Sequence, residues 1–122
     1  MAIKKILVVD DSATARHYLG DVLIKGGYEV VTAQNGNEAL LKVRSEKPDL
    51  VLMDVVMPGI NGFQATRAIT RDEETKHIPV LMLTSKDMET DRIWALRQGA
   101  TEFLNKPVEA AALLAKISAL GG

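Results

Sequence analysis

Cysteine is absent from the 122-residue sequence, which excludes disulfides and thiolate metal centres and suits a cytoplasmic location. No apolar run approaches the roughly 20 residues that a membrane-spanning helix needs. A short basic patch, Lys4-Lys5, precedes Ile6–Val9 but ends at once in Asp10-Asp11, which argues against a secretory signal. Charge of one sign is also missing. Fifteen Lys+Arg against 16 Asp+Glu leave a formal net charge of −1, so wholesale attraction to nucleic acid or an anionic membrane is not expected. There is no Gly-x-Gly-x-x-Gly and no Gly-Lys-Ser/Thr phosphate loop, which speaks against a flavin- or nucleotide-binding fold. Linkers, repeats and low-complexity tracts are lacking. The 47% hydrophobic and 25% charged composition is that of an ordered globular chain, and the length fits one domain over residues 1–122.

What the sequence does contain is a regular alternation. Five short apolar runs recur: Ile6–Val9, Val30–Ala33, Leu50–Met53, Val80–Leu83 and Phe103–Leu104. Several are continuous rather than alternating, as in strands buried on both faces of a parallel sheet. Segments of helical spacing lie between them. Ala15, Leu19, Val22 and Leu23 share one face, with Gly26-Gly27 as the stop. Ala39, Leu40 and Val43 follow Asn35-Gly36, with Pro48 beyond the end. Asn61 and Gln64 have capping-box spacing for a third helix. A fourth is expected from about Asp87 to Gln98; if Ile93 and Leu96 face the core, Trp94 points roughly 100° away from Ile93, toward solvent. The last carries Leu113, Leu114, Ile117 and Leu120. Strand and helix alternate five times, which predicts an α/β doubly wound sheet of five parallel strands with five helices.

Sites in such sheets form beyond the carboxyl ends of the strands. The residues found there are Asp10-Asp11, Asp54, Thr84-Ser85 and Lys106-Pro107. If the first and third strands are neighbours, three carboxylates crowd together, and unit charges ~5 Å apart repel by roughly 3 kcal/mol at an effective dielectric near 20. A cation would offset this, and carboxylates without His or Cys select Mg²⁺. Lys106 would face a phosphoryl group, with the Thr84 hydroxyl as a further donor. An aspartate can accept a phosphoryl group as an acyl phosphate. Each residue alone is as readily a turn, a cap or a solvated loop; their joint placement carries the argument.

These stretches, Ile6-Leu7-Val8-Val9-Asp10-Asp11-Ser12, Asp54-Val55-Val56-Met57-Pro58 leading to Gly62, Leu83-Thr84-Ser85 and Lys106-Pro107, resemble a response-regulator receiver domain over nearly the whole chain. The resemblance implies a flavodoxin-like sheet of order 2-1-3-4-5. It makes Asp54 the phosphoacceptor, Asp11 a direct metal ligand, Asp10 one acting largely through water, and the Val56 carbonyl the remaining protein ligand. Thr84 and Lys106 would contact the phosphoryl group, and the Lys106–Pro107 bond would be cis. Thr84 and Phe103 would move together on activation, although plain core packing is an equal reading of Phe103, which stands where many relatives carry Tyr. Lys86 is expected to tune phosphoryl lifetime, and Lys86, Trp94 and Phe103 to lie on a partner surface formed by the expected fourth helix, the fifth strand and the last helix. Phe63-Gln64-Ala65-Thr66-Arg67 and the segment from Lys86 to Trp94 look like chemotaxis-type regulators of type IV pilus twitching motility.

The function so implied is a stand-alone, Mg²⁺-dependent switch, monomeric or weakly dimeric, that takes its phosphoryl group from a sensor histidine kinase. It would signal to a downstream protein, since no residues are left for a DNA-binding or enzymatic domain. Its only catalysis would be self-phosphorylation and self-dephosphorylation. Two other functions compete: a phosphorylation-independent interaction module and an aspartate-nucleophile phosphohydrolase. The second wants an acid two residues after the nucleophile, where this chain has Val56.

Overall fold

The structure is a computed structural model and describes residues 2–55, 57, 59–85, 96, 97 and 99–121. Its elements are β1 (Lys5–Val9), α1 (Ala13–Lys25), β2 (Glu29–Ala33), α2 (Gly36–Glu46), β3 (Leu50–Asp54), α3 (Gly62–Arg71), β4 (Val80–Ser85), β5 (Glu102–Lys106) and α4 (Ala110–Ala119). The strands form one sheet in the order β2-β1-β3-β4-β5, and every pairing is parallel. Four helices rather than the expected five are present among the described residues. The expected fourth lies outside those residues except for Leu96 and Arg97, which are helical. Leu96, whose inward placement was the condition for Trp94 turning outward, is 47% exposed.

Period-2 alternation along buried strands sorts the core into two halves. Leu7, Val9, Val51, Met53 and Met82 face the side covered by Ala39 and Val43 of α2 and Ala65 and Ile69 of α3. Ile6, Val8, Leu50, Leu52, Leu81 and Leu83 face Leu19 and Leu23 of α1 and Leu113 and Ile117 of α4. The runs are continuous because both faces of the inner strands are covered. β5 is an edge strand and only partly buried, which is why its apolar signal shrank to Phe103-Leu104.

The helices start where the sequence offers caps. Ser12 and Asn35 accept from Ala15 and Glu38 amides, and Asn61 with Gln64 completes the capping box at 2.9 Å in both directions. α1 stops at Gly26, with Gly27 left-handed beyond it. α2 stops differently: Lys47 takes the left-handed conformation at φ 48°, a place Gly or Asn usually fills, just before Pro48. The ammonium of Lys42 donates to the Thr32 carbonyl of the edge strand β2. Arg44 of α2 pairs with Asp72 at the end of α3.

Candidate functional site

Parallel register brings the strand ends to one level. Val9 lies beside Met53 and Asp54 beside Leu83, so Asp10 and Asp54 leave neighbouring strands side by side. β5 is two strands from β3, yet the long Lys106 side chain reaches back across the end of β4. Its Nζ lies 2.5 Å from Asp54 Oδ1 and 3.2 Å from Asp10 Oδ2.

One oxygen from each of Asp10, Asp11 and Asp54 lies within 4.8 Å of the others. Asp10 and Asp54 are 1% and 4% exposed, while Asp11 opens to solvent. At an effective dielectric near 20, two such charges at that separation repel by about 3.5 kcal/mol. One ammonium against three carboxylates leaves an excess of two negative charges. The donors are all hard oxygens, so the cluster suits a hard divalent cation.

The protonation energetics agree. Burial lifts the Asp54 carboxyl above its ordinary 3.8; the hydrogen bond and charge of Lys106 oppose the rise, while Asp10 and Asp11 add to it. For Lys106, burial is the largest single influence and acts downward. The hydrogen bond and charge of Asp54, joined by Asp10, outweigh it and hold the ammonium above its ordinary 10.5. Asp54 is therefore a desolvated, crowded carboxylate whose charge a cation would relieve.

Asp10 is held at every polar group. Its amide donates to the Ala33 carbonyl at 3.2 Å, and Oδ1 accepts from the Ser12 amide at 3.0 Å. Oδ2 accepts from Lys106 and its carbonyl from Arg16 Nη1 at 2.8 Å. The loop after Asp54 is closed by the Gly62 amide, which donates to the Val55 carbonyl at 2.9 Å. A side chain at 62 would put its Cβ 2.1 Å from the Asp54 backbone oxygen, so the start of α3 lies directly on the strand end that carries the aspartate. The Lys106–Pro107 bond is cis, as the resemblance implied.

Thr84 is 1% exposed, but its hydroxyl turns to β5, donating to Asn105 Oδ1 at 3.1 Å. No bond from it to Asp54 occurs among the described residues. Phe103 is partly buried against the α2/α3 half of the core, on the same sheet face as Thr84, since Met82 pairs with Phe103 and Thr84 with Asn105. Val56, Lys86 and Trp94 lie outside the described residues. Sequence reasoning missed Arg16, Asn105 and the close approach at Gly62. For Arg16 a signal existed, because it lies one helical turn past Ser12, on a helix that starts beside the acidic pair. Asn105 had none, because its role depends on strand pairing.

Comparison with known proteins agrees with this geometry. The family model for the response regulator receiver domain matches residues 6–118. The chain is 53% identical to the protein PilH of Pseudomonas aeruginosa, over 95% of this chain and 96% of that protein. It is 38% identical over 98% of its length to the phosphate regulon transcriptional regulatory protein PhoB of the same organism, of which it spans 52%. Among solved structures, the chemotaxis response regulator CheY4 of Vibrio cholerae superposes with a TM-score of 0.90 at 34% identity, covering 98% of this chain and 99% of that one. A family model matched over residues 6–118, with relatives that cover almost the whole chain, places this chain in the response regulator receiver domain family.

Proposed function

We propose that this chain is one receiver domain over residues 1–122, acting as a stand-alone switch that accepts a phosphoryl group on Asp54 and signals through protein–protein contacts. The observation that carries the reading is the desolvated Asp54 carboxylate lying between two further carboxylates and the Lys106 ammonium. The kinase's phosphorylated imidazole is the proposed donor. An Asp54 oxygen attacks phosphorus, the P–N bond breaks as the O–P bond forms, and the leaving imidazole takes up a proton. Later, water attacks the same phosphorus and returns the carboxylate and inorganic phosphate. Both steps act on the chain itself, and no external substrate is turned over.

Mg²⁺, when bound, would neutralise charge on the phosphoryl oxygens as they approach three anionic side chains. Asp11, Asp54 and the Val56 carbonyl would hold the ion directly, and Asp10 would act through water. Lys106 now pairs with the Asp54 oxygen. As that oxygen becomes the bridging oxygen of an acyl phosphate and its charge passes to the phosphoryl group, the ammonium follows the charge. Thr84 then has a reason to leave Asn105, since a phosphoryl oxygen is the stronger acceptor. Phe103, on the same face, would move into the space so vacated and change the surface at β5. The pre-existing equilibrium between two surfaces would shift accordingly. Lys86 and Trp94 are proposed to join Phe103 in the partner surface, Lys86 also tuning phosphoryl lifetime.

A cytoplasmic, chemotaxis-like pathway serving type IV pilus twitching motility is the proposed setting. It is supported by the relationship to PilH over 96% of that protein. No helix among the described residues is long and apolar enough to cross a membrane. Intact-protein mass after incubation with Mg²⁺ and acetyl phosphate tests the reading. One phosphoryl mass is expected on the wild type and none on Asp54→Asn. Absence of the adduct on both proteins, with beryllofluoride also failing to bind, would sink it.

A further inference from the structure

α1 begins two residues after the acidic pair and lies on the sheet face it shares with α4. Two of its side chains reach out of the helix to carbonyls in the loops that carry opposite charges. Arg16 donates to the Asp10 carbonyl at 2.8 Å. Tyr18 donates through its hydroxyl to the Val108 carbonyl at 2.9 Å, across 90 positions of sequence and two residues after Lys106.

Neither bond is required to build the helix. Arg16 forms no salt bridge among the described residues, so its charge stands beside the acidic cluster without a carboxylate of its own. It also completes the set of partners around Asp10, a residue only 1% exposed. The loop that Tyr18 holds needs an outside tie. Glu109, the N-cap of α4, makes no side-chain capping bond, and Val108 is only partly buried against the core. Tyr18 remains 44% exposed as a residue while supplying that tie.

Asp10/Asp11 and Lys106 form the two charged walls of the site, and both act on Asp54. We propose that α1 is a brace between these walls, with Arg16 a positioning residue for Asp10 and Tyr18 a positioning residue for Lys106. The brace keeps the acidic wall in place when Lys106 leaves Asp54 for the phosphoryl group, and it brings the lysine to one position each time. This inference rests on Asp54 being the phosphoryl acceptor beside a Mg²⁺ site.

The two arms of the brace separate in experiment. Mg²⁺ affinity is measured by calorimetric titration of the full chain with the metal alone. Phosphoryl acceptance is measured from acetyl phosphate at saturating Mg²⁺ by intact mass, with thermal unfolding recorded for each variant. Arg16→Met is expected to weaken Mg²⁺ about tenfold, the usual effect of losing a partner that orients a metal ligand, with Arg16→Lys recovering part of the loss. Tyr18→Phe is expected to leave Mg²⁺ affinity unchanged but slow acceptance roughly three- to tenfold, because sub-ångström misplacement of a charged group weighs on the transition state. Wild-type Mg²⁺ affinity in Arg16→Met, or a wild-type rate in Tyr18→Phe, overturns the brace. Should Arg16→Met not fold, Tyr18→Phe decides alone, since it removes one exposed oxygen. Failure of the wild type itself to bind Mg²⁺ and accept phosphoryl would instead refute the parent reading.

Discussion

Gly62→Ala is the smallest change that sets the fold against the site. The added methyl would stand 2.1 Å from the Asp54 carbonyl oxygen and 2.9 Å from both the Asp54 carbonyl carbon and Val55 Cα. All three atoms are backbone, so no side chain can swing aside. The first turn of α3 must retreat by about 1 Å to restore van der Waals separation. That movement stretches the bond from the Gly62 amide to the Val55 carbonyl, now 2.9 Å, and loosens Ala65, Thr66 and Ile69, the buried face of α3. Overpacking of this kind destabilises by about 1–3 kcal/mol, and a weakened backbone bond adds about 1 kcal/mol. Alanine's helix propensity offsets less than about 1 kcal/mol of this. The net expectation is a loss of about 2–3 kcal/mol, read from the urea midpoint at unchanged m, or near 10 °C in Tm. Gly59→Ala is the control. Its φ of 76° is left-handed but nothing among the described residues lies within 4 Å of its Cβ position, so only backbone strain of about 1 kcal/mol is expected. Because the helix is forced off the backbone of Asp54 itself, Gly62→Ala should also weaken Mg²⁺ binding, which Gly59→Ala should not. Equal losses in the two variants, or a loss under about 0.5 kcal/mol for Gly62→Ala, would refute the close approach as the reason for glycine at this position.

Three further outcomes follow from the same structure. Without divalent cations, the carboxyl carbon of Asp54 followed by NMR should titrate with a midpoint above the ordinary 3.8, because burial disfavours the charge, and Mg²⁺ should pull that midpoint down; a midpoint at or below 3.8 without metal would contradict the burial argument. Asp49 Oδ2 accepts the amides of Lys4 and Lys5 at 2.9 and 3.0 Å. Those backbone bonds hold its carboxyl below the ordinary 3.8, so its contribution is present above the unfolded value and lost as pH falls through the folded one. Asp49→Ala should therefore lose about 1–2 kcal/mol at pH 7, and the gap to wild type should close in acid; a gap constant with pH would refute it. Asn105→Val removes the acceptor that turns Thr84 away from Asp54, and beryllofluoride should bind about threefold tighter in Mg²⁺, a part of one hydrogen bond's net worth; unchanged or weaker binding would show that Asn105 does not restrain Thr84.

Much of this protein is written locally. Strands buried on both faces must be continuous apolar runs, so the ends of β1, β3 and β4 appear in the sequence as abrupt changes to Asp10, Asp54 and Thr84. Caps act within one turn, so Ser12, Asn35 and Asn61 mark helix starts without reference to the rest of the chain. The charges that meet at the site were legible because carboxylates and a lysine ending strands of one parallel sheet must share an edge. Partner choice was not legible. That Lys106 sits closer to Asp54 than to Asp10, and that Thr84 rests on Asn105, depends on register and side-chain rotation across strands distant in sequence. The exposure of Leu96 departs from its helical spacing, and α2 ends on a left-handed Lys47 where no glycine announces the stop. Residue type and local spacing thus determined the elements and the chemistry at their ends. Only tertiary packing decided which charges touch, which hydroxyl is turned away, and that α1 spans the site from Asp10 to Val108, because those contacts join atoms up to 90 residues apart.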